Sequence, residues 1–180
     1  MKRWFGARLC SFVVLCLLLG NCAVYRNDSG RRQSLAQDIL DHDRISLANF
    51  HVSGRRDRAT ALDNIRQAAR GGSARRSYYG NAPGGYTKLD ARMLAGLKRL
   101  ADEGYRLRLT EVAGGSHSRK SRHYTGLAFD VDYINGVKVG YGNPYYRKFM
   151  KRCRRLGATE VLGPGDRGHS THVHVAWPRQ

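Results

Sequence analysis

The chain has 180 residues, with 32 Lys and Arg against 14 Asp and Glu, a formal net charge of +18. So basic a balance implies a polyanionic neighbour, with a merely solvated basic surface as the plain alternative. Three of the four cysteines fall within the first 22 residues, which excludes a disulfide scaffold for the rest of the chain.

The chain starts with Lys2, Arg3 and Arg8, followed by an apolar run from Leu9 to Leu19 broken only by Ser11, then Gly20, Asn21, Cys22 and Ala23. A basic start, a short apolar core and small residues after it form a secretory signal. The run is shorter than the roughly 20 apolar residues of a membrane-spanning helix. The stretch ending at Cys22 resembles a lipoprotein cleavage site, which would put a lipid on Cys22; simple secretion and a signal anchor stay open beside it. Removing residues 1–22 takes away three positive charges and no negative ones, leaving 158 residues at +15. That length suits one domain with its own core. For an exported chain, in the periplasm or cell envelope, an anionic cell-wall or membrane surface is the expected polyanion. No nucleic-acid recognition motif is present.

Residues 23–34 are polar and read as a linker, with a short helix from Ser34 to Leu40, so that residues 23–44 precede a domain over residues 45–180. Ile45 to Val52 is a strand candidate. Ala59 to Ala69 has Ala61, Leu62, Ile65 and Ala68 at helical spacing. Gly71 to Gly85 is a glycine-rich loop long enough to be functional. Leu89 to Ala101 is the clearest helix, closed by Gly104. Arg106 to Val112 is a strand, Ala113 to Arg122 a loop, and Leu127 to Tyr133 a strand. Asn135-Gly136 signals a tight hairpin turn returning through Val137 to Val139. Asn143-Pro144 opens a helix whose apolar face holds Tyr146, Phe149, Met150, Cys153 and Leu156. Cys153 reads as a small core residue. Thr159 to Leu162 and Thr171 to Trp177 are the last strands, around a turn-rich loop. The fold class is α+β: a small antiparallel sheet flanked by helices, acting as a monomer.

Two clusters carry chemistry: Ser121-Arg122-His123-Tyr124-Thr125-Gly126-Leu127-Ala128-Phe129-Asp130-Val131-Asp132, and His169-Ser170-Thr171-His172-Val173-His174. Alternate residues of a strand share a face. Asp130 and Asp132 then point away from Phe129 and Val131, and His172 and His174 away from Val173 and Val175. If the two strands are neighbours, their polar faces converge, with His123 just upstream. Two imidazoles and one carboxylate with an open fourth position make a catalytic zinc site. Each fragment alone is weak: exposed strands often carry His-x-His, and Asp132 could cap the hairpin or fix a ligand imidazole.

Ser121-x-His123-x-x-Gly126-x-Ala128-x-Asp130 resembles the motif of zinc D-alanyl-D-alanine carboxypeptidases, which share a fold with lysostaphin-type peptidases and the hedgehog domain. The resemblance covers roughly residues 85–178. It implies Zn2+ held by His123, Asp130 and His174, peptidoglycan peptides as substrate, and carboxypeptidase or endopeptidase activity. Many members place a Glu base three residues before the last ligand, where this chain has Thr171. His169-x-x-His172-x-His174 instead looks like the murein endopeptidases, which implies His172 as acid–base residue and His169 beside the substrate. The family's substrate-binding Arg is replaced by Gly115-Ser116-His117-Ser118, which makes His117, with Ser121, a candidate substrate-binding residue. Glu160 is an alternative acid–base residue or a surface ion-pair partner. The competing reading is a zinc-containing wall-binding module without activity.

Overall fold

The computed structural model describes residues 28–179, so the signal, Cys22 and residues 23–27 of the linker lie outside the described residues. The described chain begins in helix α1, residues 28–41. The polar stretch read as linker is therefore helical from residue 28. Asp28 and Arg32 pair across one turn, and Ala36 and Ile39 are fully buried in the same core as the rest of the chain. The apolar stripe alone marked only the part of α1 that touches the core.

Six strands form the main sheet: β1 (Ile45–Leu47), β4 (Leu107–Glu111), β5 (Ala128–Ile134), β6 (Val137–Lys138), β7 (Glu160–Leu162) and β8 (Val173–Ala176). Their order is β1-β4-β5-β8-β7, with β6 paired to β5. All pairs are antiparallel except β1–β4. That parallel pair makes the sheet mixed, and the long connection it requires carries α2 (Ala61–Ala69) and α3 (Ala91–Asp102). Inside the Gly71–Gly85 loop, β2 (Ala74–Arg75) pairs with β3 (Tyr86–Thr87) just beyond it. The hairpin β5–β6 turns at Asn135 and Gly136, with φ of 54° and 79°, as the two-residue turn demands.

The last helix, α4, spans Tyr146–Arg155, and Asn143 Oδ1 accepts from the backbone N–H groups of Tyr145 and Tyr146 ahead of it. Helix entry is thus set by Asn143, two residues later than the Asn-Pro pair suggested.

One face of the sheet is the core. Leu109, Phe129, Val131, Val173 and Val175 are fully buried, together with Leu94 and Leu97 of α3 and Phe149 and Cys153 of α4. Burying each such large side chain contributes roughly 1.5–3 kcal/mol. The opposite face is left for polar side chains.

Candidate metal centre

Strands β5 and β8 are neighbours, with Asp130 directly opposite His174. Their core-side partners Phe129, Val131, Val173 and Val175 leave these two groups on the polar face, where both are almost completely buried. His123 arrives from a 3-10 turn, His123–Thr125, closed by Gly126 in the left-handed region at φ 70°. A Cβ at Gly126 would lie 2.2 Å from the Lys88 carbonyl oxygen, so only glycine lets this turn press against the start of α3.

Three donor atoms meet. His123 Nε2 lies 3.1 Å from Asp130 Oδ1 and 3.0 Å from His174 Nδ1, and His174 Nδ1 lies 2.9 Å from Asp130 Oδ1. The outer nitrogens are committed elsewhere. His123 Nδ1–H donates to the Val112 carbonyl at 2.7 Å, and His174 Nε2–H donates to Glu160 at 3.1 Å. Each ring therefore turns a lone pair inward, toward an oxygen that also offers only lone pairs. One proton can link one pair of these atoms; a cation satisfies all three. Tetrahedral donors about 2.0–2.1 Å from a zinc-sized ion lie about 3.3 Å apart, so the group fits with slight expansion. Electrostatics agree. Burial works against the Asp130 charge, but His123 and His174 hold that carboxyl well below the usual range; burial likewise opposes charge on His123, and Asp130 raises it nonetheless.

His117 forms a second triplet with His123 and Asp130, with donor atoms within 4.8 Å of one another. Its ring stacks on His123 at 3.9 Å and 12°, and its Nε2–H donates to the Gly114 carbonyl at 3.0 Å. Lone pairs in parallel stacked planes do not converge on one ion, so the His174 triplet is the better donor set. Burial, helped by His123, pushes the His117 imidazole down to about 3, so the ring is neutral and its Nδ1 is an acceptor. Its one N–H is held by Gly114, which leaves it suited to accept from a substrate and unsuited to polarise a carbonyl.

The other predicted residues surround the group. The triplet opens on a cavity of about 830 Å³ lined by His117, Ser121, His169, Thr171 and His172. The final strand is shorter than expected, and His172 sits in its lead-in, with Nε2 4.0 Å from Asp130 Oδ2. Burial, opposed in part by Asp130, lowers its pKa and keeps it neutral. His169 packs 4.9 Å from His172 and donates Nδ1–H to the Arg167 carbonyl. Ser121 Oγ accepts from the His123 backbone N–H at 3.3 Å.

Asp132 lines the cavity beside Asp130 but its carboxylate is taken up by another partner. It is the extra residue where the β4–β5 register shifts, and it pairs with Arg108 at 2.8 Å. The alternation holds through Asp132, which shares the polar face with Asp130; the bulge shifts the pattern only beyond it, so that Ile134 rather than Tyr133 is the next core residue. Glu160 lines the cavity, pairs with Arg122 at 3.7 Å as a surface partner would, and also fixes the His174 ring.

A second register shift, between Leu109 and Glu111, puts Glu111 opposite Asp130 on the polar face. Its carboxylate accepts from His51 Nδ1 at 2.8 Å, while His51 Nε2 donates to Asp57 at 2.7 Å. Sequence reading assigned no role to this triad. The one available signal was a lone Glu inside the apolar strand before Val112. Burial pushes the Glu111 carboxyl up and His51 pulls it partly back. The proton between them rests on His51, because that ring faces a second carboxylate. Burial opposes charge on His51, yet Glu111 and Asp57 together raise it from 6.5 to about 9. A raised pKa stabilises the fold below the unfolded value, so this contribution is full below pH 6.5 and is lost as pH rises through about 9. His51→Gln should therefore cost up to about 3 kcal/mol more near pH 6 than near pH 10, read by denaturant unfolding. A difference that does not change with pH would contradict this.

No family model matches the chain, and no solved structure matches it. A curated relative does: the zinc D-Ala-D-Ala carboxypeptidase of Streptomyces albus G is 37% identical over 67 residues. The match covers 37% of this chain and 22% of that protein, so the chain aligns with about a fifth of the relative's length.

Proposed function

We propose that this chain is a zinc peptidase that hydrolyses peptidoglycan peptides, as a D-Ala-D-Ala-type carboxypeptidase or endopeptidase of the cell envelope. The observation that carries this reading is the inward-facing lone-pair triplet of His123, Asp130 and His174 at the wall of an open cavity. The similarity to a zinc D-Ala-D-Ala carboxypeptidase supports the same choice.

In this reading His123, Asp130 and His174 hold the ion. A zinc ion supplies Lewis-acid polarisation and activates water at neutral pH. His172, kept neutral by burial, takes the proton of the attacking water on Nε2 and returns it to the leaving amine. His117 accepts from a backbone N–H of the substrate, while Ser121 and His169 line its path. Val112 and Glu160 hold the ligand rings in the tautomers that ligation needs. Glu160→Ala should therefore weaken zinc binding by about 10–100-fold, measured by competition with a chromophoric chelator. Unchanged affinity would remove Glu160 from this role.

A second reading has one observation in its favour: Thr171 stands where many carboxypeptidases carry a Glu base. On that reading the chain keeps zinc, binds the wall and cuts nothing. A muropeptide digest analysed by mass separates the two. Loss of one terminal D-alanine identifies a carboxypeptidase, and conversion of cross-linked dimers to monomers identifies an endopeptidase. Intact muropeptides after incubation with the zinc-loaded chain would overturn the catalytic reading.

A further inference from the structure

We propose that the outer face of α4 is a docking surface for anionic phospholipid headgroups. Six of the ten residues from Tyr146 to Arg155 are Lys or Arg, and none is acidic. The inner face, Tyr146, Phe149, Met150 and Cys153, is buried in the core. Arg147, Lys148, Lys151, Arg154 and Arg155 are exposed. Residues three and four apart are neighbours on a helix, so these cations stand beside one another along a stripe about 12 Å long.

Such an arrangement costs stability. Like charges at these spacings repel. Cations in the last turn suit the helix dipole, but Arg147 and Lys148 lie in the first turn, where it disfavours them. Helix α3 of the same molecule handles its surface differently, pairing Lys98 with Asp102 and Arg99 with Glu103. On α4 only Arg152 has a carboxylate partner, Glu103, among the described residues. A surface kept unfavourable in this way fits an external anion.

Three features select a membrane among polyanions. The stripe is convex and has no aromatic side chains interleaved on which bases could stack. Tyr141 and Tyr145, 71% and 39% exposed, flank its N-terminal end, and tyrosine favours the level of lipid headgroups. The signal expected from the apolar run Leu9 to Leu19, with a lipid on Cys22, would also place the chain at a membrane, and a basic patch is the usual second signal beside a single anchor. Orientation follows from the fold. Met150 Sδ and Val173 Cγ2 meet at Gly163 on the core side of the sheet, and Val173 points opposite to His174. A membrane bound by α4 thus leaves the metal centre facing away from the bilayer.

The test is co-sedimentation of the full chain with vesicles of phosphatidylcholine alone and of phosphatidylcholine with phosphatidylglycerol. Each basic residue near an anionic bilayer contributes about five-fold in affinity. The variant Arg147→Gln, Lys148→Gln, Lys151→Gln, Arg155→Gln should lose at least about 100-fold of the preference for anionic vesicles. A control with the same charge change, Arg55→Gln, Arg56→Gln, Arg66→Gln, Arg70→Gln, should keep most of it. Equal loss in both variants would mean net charge alone and would overturn the proposal. So would double-stranded DNA or isolated wall polymer losing affinity for the α4 variant while vesicle binding stays. The unaltered chain gives an independent reading: its preference should collapse between roughly 0.05 and 0.5 M salt, and a salt-independent preference would also overturn the proposal.

Discussion

Replacing His123, Asp130 or His174 singly by Ala is expected to drop bound zinc from about one ion per chain to near zero, and peptidase activity with it. Each residue supplies one of three donors spaced 2.9–3.1 Å apart. Asp130→Asn is the most informative of the set. It keeps volume and a carbonyl oxygen, but removes the charge that His123 and His174 hold far below the usual carboxylate range. Its zinc should fall while its circular dichroism stays that of the parent. His117→Ala is the matching control, because its stacked ring cannot aim at the same point as His123. Metal analysis after gel filtration decides between the triplets. Zinc kept in His174→Ala and lost in His117→Ala would transfer the site to the His117 group.

The second large effect belongs to His172. His172→Ala should keep its full zinc content and lose about 10²–10⁴-fold in kcat, the usual contribution of a general acid–base residue. The ring approaches Asp130 Oδ2 at 4.0 Å from the cavity side, and burial keeps it neutral. Because its pKa is lowered, His172 remains a base below the ordinary histidine range, and the acid limb of kcat should lie there too. Normal turnover in His172→Ala would move proton transfer to another group. Glu111, also on the cavity wall and opposite Asp130, would then be the next to replace.

Much of this arrangement is legible in the sequence where a single period governs the chain. The alternation around Phe129 and Val131, and around Val173 and Val175, puts Asp130 and His174 on one polar face, and the sheet pairs those strands directly. Leu94 and Leu97 mark α3 in the same way, and Asn135-Gly136 marks its hairpin. What escaped the sequence depends on features that periodicity does not carry. The bulge puts Asp132 and Tyr133 together on the polar face, where Arg108 takes up the carboxylate; the shift before Glu111 re-aims another toward Asp130. His51 and Glu111 are 60 residues apart and meet only because β1 lies parallel to β4. The contact of Glu160 with His174 escaped because that partner is contributed by the neighbouring strand. The helical start of α1 escaped because residues 28–33 face solvent and carry no apolar stripe.

On the proposed reading, an ion at His123, Asp130 and His174 makes this chain a peptidase. The most direct measurement is the release of new amino termini from isolated peptidoglycan by the full chain as purified, after chelation, and after return of one equivalent of zinc. Cleavage is expected, with its loss on chelation and its recovery with zinc. A fully zinc-loaded chain that binds peptidoglycan and releases no amino termini would contradict that reading.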